Sequence, residues 1–258
     1  LPYVSAQAIR RALRDKLSEI LGEEAISPVA MPSEKKGAAK TQMNPVQYID
    51  DDLFGFMDAK GDKEGGKGTS TTRTSPIRVE SLVAISKYQG DLDFGTNYMS
   101  KSIGGDPNIF ETEIHSGYYR GTILIELDRI GCGDGFTKEN ELKPDEKKKR
   151  VLAFIDAFRN LWSSGRQSRF LADISPKFIA AAYMKTKNPI FLESVNIYDG
   201  KLDTEKLKSV TNDYDKYIES HIFAAQSAVF EASEDIKSLK KGFEEIEKWI
   251  GEYYKEEK

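Results

Sequence analysis

Guanidinium, amide and hydroxyl groups gathered at the start of a helix are suited to holding phosphate, and the opening of this chain carries such a set. Ser5 is a natural helix N-cap, and Gln7, Arg10 and Arg14 recur after it at spacings of three and four. That spacing puts them on one helix face, with Arg11 and Lys16 flanking it. Hydroxyl, amide and guanidinium donors beside the amides of a helix N-terminus match phosphate oxygens. A second cluster, Gly165, Arg166, Gln167 and Arg169, follows a long amphipathic stretch as a polar loop. Two such clusters on one body favour a sugar-phosphate backbone as ligand, and that role needs no catalytic group.

Other candidates are weaker. His115 stands near Tyr118, Tyr119 and Arg120, a set that could cleave RNA without metal, with histidine as base and arginine on the phosphate. A packing histidine is the simpler account. Asp50, Asp51 and Asp52 lack calcium-loop spacing and read as a solvated acidic cluster. Gly61 to Gly68 comes near a phosphate-binding loop, but glycine stands after Lys67 where a magnesium-binding Ser or Thr is required, and no apolar strand precedes it. Cys132 lies among Gly131, Gly133 and Gly135 and reads as a turn residue. With one cysteine and two histidines, a cysteine-based metal site is not expected.

The elements that position these residues follow from periodicity. Ile9, Leu13, Leu17 and Ile20 predict a helix over 5–21, stopped by Gly22. Residues 23–76 have no sustained period and carry four prolines, so they read as a flexible insertion, with Lys60–Ser75 a mobile loop and the apolar island DDLFGFM at 51–57 docked on the body. Strands are predicted at 77–88, 109–115 and 119–130, with Ser116-Gly117 joining the last two as a hairpin. Pro144, Asp145 and Glu146 open a helix over 144–164. A strand follows at 178–184, then helices over 204–221 and 233–254, so residues 200–258 read as a helical C-terminal part. The order fits a βαββαβ ferredoxin-like unit of the α+β class whose first strand lies before Leu1 or is reduced to Leu1–Val4.

The chain has 258 residues, with 38 Lys and Arg against 42 Asp and Glu, and a pI near 5.5. That length fits between one and two domains, with one elaborated domain over 1–258 the expectation, and the chain's acidity alone argues against nucleic acid. The charge is local, however: residues 141–190 carry 11 basic and 5 acidic side chains, whereas 91–140 carry 4 and 9, and 191–258 carry 10 and 16. That pattern suits a nucleic-acid groove on an acidic body, or acidic and basic faces that meet between subunits. No apolar run is long enough to span a membrane, and the cytoplasm is the expected location.

VSAQAIRRALRDKL at 4–17, DDLFGFM at 51–57, RTSPIRVESLVA at 73–84 and GRQSRFLADISPKFI at 165–179 resemble the large repeated backbone subunit of type I CRISPR interference complexes (Cascade), in the DevR branch and similar to subtype I-B. The resemblance implies a ferredoxin-like, RRM-like palm with inserted finger and thumb regions, in a protein that polymerises head to tail along a CRISPR RNA. It implies a non-catalytic scaffold without cofactor, whose partners are CRISPR RNA, target DNA through the guide, further copies and other Cascade subunits. The family's helix motif falls on Ser5, Gln7, Arg10 and Arg14, and its Gly-x-Gln-type loop on Gly165, Arg166 and Gln167. Family members usually carry a strand and a glycine-rich segment ahead of this stretch, so the chain is expected to begin inside a domain. A metal-independent endoribonuclease using His115 is the alternative. A DNA-binding autorepressor rests on the name DevR alone, since nothing resembles a helix-turn-helix.

Overall fold

A computed structural model describes residues 1–30, 39–60, 69–163, 171–231 and 233–256. In chain order, the strand β1 (Tyr3–Val4) leads into α1 (Ala6–Leu21), and after an irregular segment come α2 (Ile49–Phe54), β2 (Phe56–Lys60) and β3 (Thr69–Arg73). Then follow β4 (Ile77–Val79), β5 (Leu82–Ala84), β6 (Gly90–Asn97), β7 (Asn108–His115), β8 (Tyr119–Arg120), β9 (Ile123–Ile125) and α3 (Pro144–Arg159). The remainder is β10 (Phe178–Met184), β11 (Ile197–Tyr198), β12 (Lys201–Leu202), α4 (Thr204–Asp213), β13 (Ile218–Ala225), β14 (Ile236–Ser238) and α5 (Leu239–Glu256).

The sheets are small. β5 lies between β1 and β8, and β13 lies between β10 and β14, antiparallel to β10 and parallel to β14. One apolar core joins the helices to both: Ile9, Leu13 and Leu17 of α1, Leu53 and Phe54 of α2, Val151, Phe154 and Ile155 of α3, and Phe243, Ile250 and Tyr254 of α5. The side chains of β10 alternate. Ile179 enters this core beside Ala224, while Phe178 and Ala180 face the opposite way onto Phe223, Phe191 and Leu207 of α4. Both faces of the β10–β13 pair are therefore covered at the end that holds Phe178 and Phe223, while Glu219 and His221 at the other end of β13 are exposed.

α1 starts and stops where expected. The Ser5 hydroxyl accepts from the Ala8 amide at 3.2 Å, and Gly22 takes φ of 94°, a left-handed turn that a Cβ would strain. α3 opens at Pro144 but ends at Arg159, short of Gly165. Tyr3 and Val4, within the Leu1–Val4 stretch, pair with β5, Tyr3 opposite Val83.

Four expectations are corrected. The 77–88 and 119–130 stretches are each broken into short strands. β7 does not pair across Ser116-Gly117; it pairs with β6, Gly90 opposite His115 through Asn97 opposite Asn108, in a ribbon that leaves Phe94, Tyr98, Met99, Ile103 and Ile109 exposed. Within the insertion, β2 and β3 form a ladder from Phe56↔Arg73 to Lys60↔Thr69 where a loop is predicted. The helix predicted to run to His221 stops at Asp213, and 218–225 is the central strand of a sheet, so the C-terminal part is not wholly helical. Residues 61–68, the glycine-rich stretch near a phosphate-binding loop, lie outside the described residues.

Candidate nucleic-acid interface

α1 presents two edges. Its buried side is fixed by Ile9, Ala12, Leu13 and Leu17, which turns Gln7, Arg10 and Arg14 together onto an adjoining face. Gln7 is exposed, and Arg10 and Arg14 are half-buried. The helix start is already partly used: the Ala6 amide donates to Ser81 Oγ at 3.0 Å and the Ala8 amide to Ser5 Oγ. Ser5 thus fixes where α1 begins and keeps its hydroxyl hydrogen to donate.

The arginines have different surroundings. Arg11 is solvent-facing and pairs with Asp15 one turn on, at 3.0 Å. Arg14 donates from Nε to Asp50 at 3.1 Å, and its guanidinium carbon lies 4.9 Å from the Phe54 ring centre. Arg10 has no carboxylate partner among the described residues. Burial, and then the neighbouring charge of Arg14, hold the Arg10 guanidinium below its usual range. Two half-buried cations lie side by side there, and only one has an acid to balance it. The second cluster, Gly165, Arg166, Gln167 and Arg169, lies outside the described residues.

The solvated acidic cluster is overturned. Asp50, Asp51 and Asp52 are all buried, because each meets a fixed donor. Asp50 accepts from Arg14 and from the Ser27 amide at 2.8 Å, and Asp51 accepts from the Asn44 amide at 2.9 Å. Asp52 takes Arg73 on Oδ1 and Arg150 on Oδ2, the latter at 2.7 Å. Burial raises the Asp50 carboxyl above its ordinary range, against the Ser27 amide and Arg14, which pull it down. On sequence, Asp50 and Asp52 are weighed only as part of an acidic cluster and Phe54 only as part of the docked island, not as partners of the arginines. The signal available was an acid and an aromatic four residues apart on α2, which places both on one side of a turn. Among the described residues, no group of three or more His, Cys, Asp or Glu could hold a metal ion.

The residues around His115 do not assemble as a phosphate-cleaving set. His115 stacks on Tyr88 with centroids 5.2 Å apart and meets Tyr119 edge-on. Its Nε2 is shielded from solvent, and Nδ1 is 3.4 Å from the Gln89 carbonyl oxygen. Arg120 is turned to the carbonyls of Glu193 and Val195, at 3.2 and 3.0 Å, and Tyr118 packs on Phe230. The Cys132 thiol lies 3.2 Å from the Asp128 carbonyl oxygen, in a turn where Gly131, Gly133 and Gly135 all have positive φ.

Comparison with known proteins identifies the family. The family described as CRISPR-associated negative auto-regulator DevR/Csa2 matches residues 5–206. A CRISPR-associated protein Cas7/Cst2/DevR of Myxococcus xanthus (strain DK1622) is 33% identical over 68% of this chain and 57% of its own length. A CRISPR-associated aCascade subunit Cas7/Csa2 of Saccharolobus solfataricus is 29% identical over 55% of this chain and 45% of its own. The chain therefore spans about half the length of these curated relatives. In fold it is similar to a chain of a CRISPR RNA-guided surveillance complex, with a TM-score of 0.53 at 17% identity over 96% of this chain and 86% of the other. A chain of a pre-nicking form of such a complex gives a TM-score of 0.56 at 14% identity, over 96% and 90%. With the family matched from the N-cap of α1 into α4, the chain belongs to the DevR/Csa2 family of CRISPR-associated proteins.

Proposed function

We propose that this protein is a non-catalytic scaffold that binds CRISPR RNA through the α1 face, assembles with further copies along it, and leaves the guide's bases free to pair with target DNA. The observation that carries the reading is Arg10: a half-buried guanidinium beside Arg14, without a carboxylate of its own among the described residues, on the helix where the family match begins. A phosphate would supply the missing negative charge. Where the β10–β13 pair packs against α4 and α5, around Phe178 and Phe223, both faces are covered, which supports backbone recognition over base stacking there. The chain order β1, α1, β5 and β8, α3, β10 is that of a ferredoxin-like palm, although β10 pairs with β13 and not within the sheet of β1, β5 and β8. The exposed apolar side chains of the β6–β7 ribbon support assembly with other chains.

Binding of a labelled single-stranded RNA tests this. Charge-assisted hydrogen bonds contribute about 1.5–3 kcal/mol each, so Arg10→Ala should weaken binding roughly ten- to a hundredfold. Unrelated RNA sequences should lose equally. Replacing Arg10 and Arg14 together should flatten the salt dependence by about 0.7 in slope for each phosphate no longer neutralised. Unchanged affinity in the double variant refutes the reading.

A further inference from the structure

Resting on that reading, we propose that Asp50 is a positioning residue for RNA binding: with Phe54, it holds the Arg14 guanidinium so that its two terminal nitrogens face the phosphate beside Arg10. Both Asp50 oxygens are committed, Oδ2 to Arg14 Nε at 3.1 Å and Oδ1 to the Ser27 amide at 2.8 Å, and the side chain is 1% exposed. The carboxylate therefore cannot turn. Phe54, one turn further along α2, lies against the guanidinium and limits its remaining rotation. Arg14 keeps 27% of its side chain exposed, and its terminal nitrogens have no hydrogen bond among the described residues. A guanidinium held through Nε presents its opposite edge as a fixed two-nitrogen fork, which is the edge that fits two phosphate oxygens.

An acid next to a phosphate site can also act in the opposite sense. If Asp50 only neutralised Arg14, removing it would raise the local positive charge, tighten RNA binding and steepen its salt dependence. Positioning predicts weaker binding despite the gain in charge, because a long side chain must then be ordered each time RNA binds.

The test is the affinity of the full chain for a fluorescent single-stranded RNA of arbitrary sequence, measured across a salt series. Asp50→Ala should weaken binding roughly three- to tenfold, the size expected for ordering one such side chain, and should no longer weaken it in an Arg14→Ala background. Binding by Asp50→Ala that equals or exceeds the parent, while Arg10→Ala weakens it, overturns the positioning role and leaves the RNA reading standing. Unchanged binding in Arg10→Ala and Arg14→Ala alike overturns both. If Asp50→Ala does not fold, Arg14→Lys keeps the charge and loses the fork. It should bind three- to tenfold more weakly with an unaltered salt slope, and affinity equal to the parent would overturn the proposal.

Discussion

Replacing Asp52 should remove a large part of the stability of this fold. Its carboxylate is wholly buried and receives Arg73 of β3, Arg150 of α3 and the Gly131 amide at 3.1 Å. The two guanidinium groups are 1% and 7% exposed. Asp52→Ala would leave two buried cations short of a counter-charge, with only Glu146 at 3.9 Å beside Arg150, and removing one partner of a buried pair costs about 3–5 kcal/mol. Whole domains are stable by only about 5–15 kcal/mol. Urea unfolding followed through the buried Trp249 should show the loss as a lower midpoint, and in thermal melting it should appear as a fall of roughly 6–20 °C for a chain of this size.

Two controls separate this account from a general penalty for mutation. Glu244→Ala breaks an exposed pair with Lys240 and should change stability by less than about 1 kcal/mol. Replacing Asp52, Arg73 and Arg150 together by apolar residues should not restore stability, although such swaps are often neutral elsewhere. Here the arginines also serve main-chain carbonyls: Arg73 donates to those of Asp52, Cys132, Asp134 and Arg129, and Arg150 to those of Pro45 and Val46. Those oxygens would be left without their donors. An Asp52→Ala midpoint within about 0.5 kcal/mol of the parent, well under the 3–5 kcal/mol at stake, would refute the reasoning.

The helix α5 sits close on its sheet at Gly242, where an added Cβ would lie 2.5 Å from Ala224 Cβ and 2.8 Å from Ile179 Cδ1. Gly242→Val should cost about 1–3 kcal/mol by overpacking and lower the melting temperature by roughly 2–12 °C; an unchanged melt would show that the sheet can yield there. Lys177, then Ser175, hold the Asp173 carboxyl at about 2, below its ordinary 3.8. A depressed carboxyl favours the fold above the ordinary value and loses that support as pH falls towards 2. Because Asp173 is mostly exposed, solvent screens the effect on stability, and its own titration followed by NMR is the better measure: Lys177→Met should move the midpoint back towards 3.8, and a parent midpoint already near 3.8 would refute it.

How far the sequence revealed this structure depended on whether the deciding interactions were local. α1 was legible because its cap, its apolar stripe and its stop lie within one segment, and Pro144 marked α3 for the same reason. β13 was hidden because Leu207, Val210, Tyr214 and Ile218 continue a helical spacing, while the register with β10 that makes it a strand comes from residues about forty positions earlier. β6 was missed, and β7 mispaired, because the ribbon stands outside the core; no buried face imposes a hydrophobic alternation or a register. The aspartates were misread because their partners Arg14, Arg73 and Arg150 lie 36, 21 and 98 positions away. A charge run is solvated by default, and only a distant cation can bring it inside.

The same distinction governs what net charge says about a ligand. The cationic excess of residues 141–190 looked like the place for phosphate, yet much of it is spent within the fold. Arg150 meets Asp52, Lys177 meets Asp173, and Lys187 meets Glu126 at 3.3 Å and Asp128 at 2.7 Å. Glu126 is itself buried, which pushes its carboxyl up, but Arg129, Lys187 and Arg78 outweigh that and hold it below the ordinary range. A cation already paired to a buried acid must give up that pair before it can bind phosphate, so counting such charges overstates the attraction. Arg10 has no such pair to give up among the described residues, and Arg14 can keep its Nε bond to Asp50 while offering its terminal nitrogens. On the proposed function, α1 serves as an anion site although its segment carries less excess charge than 141–190, because what a phosphate meets is the unpaired part of the charge and not its sum.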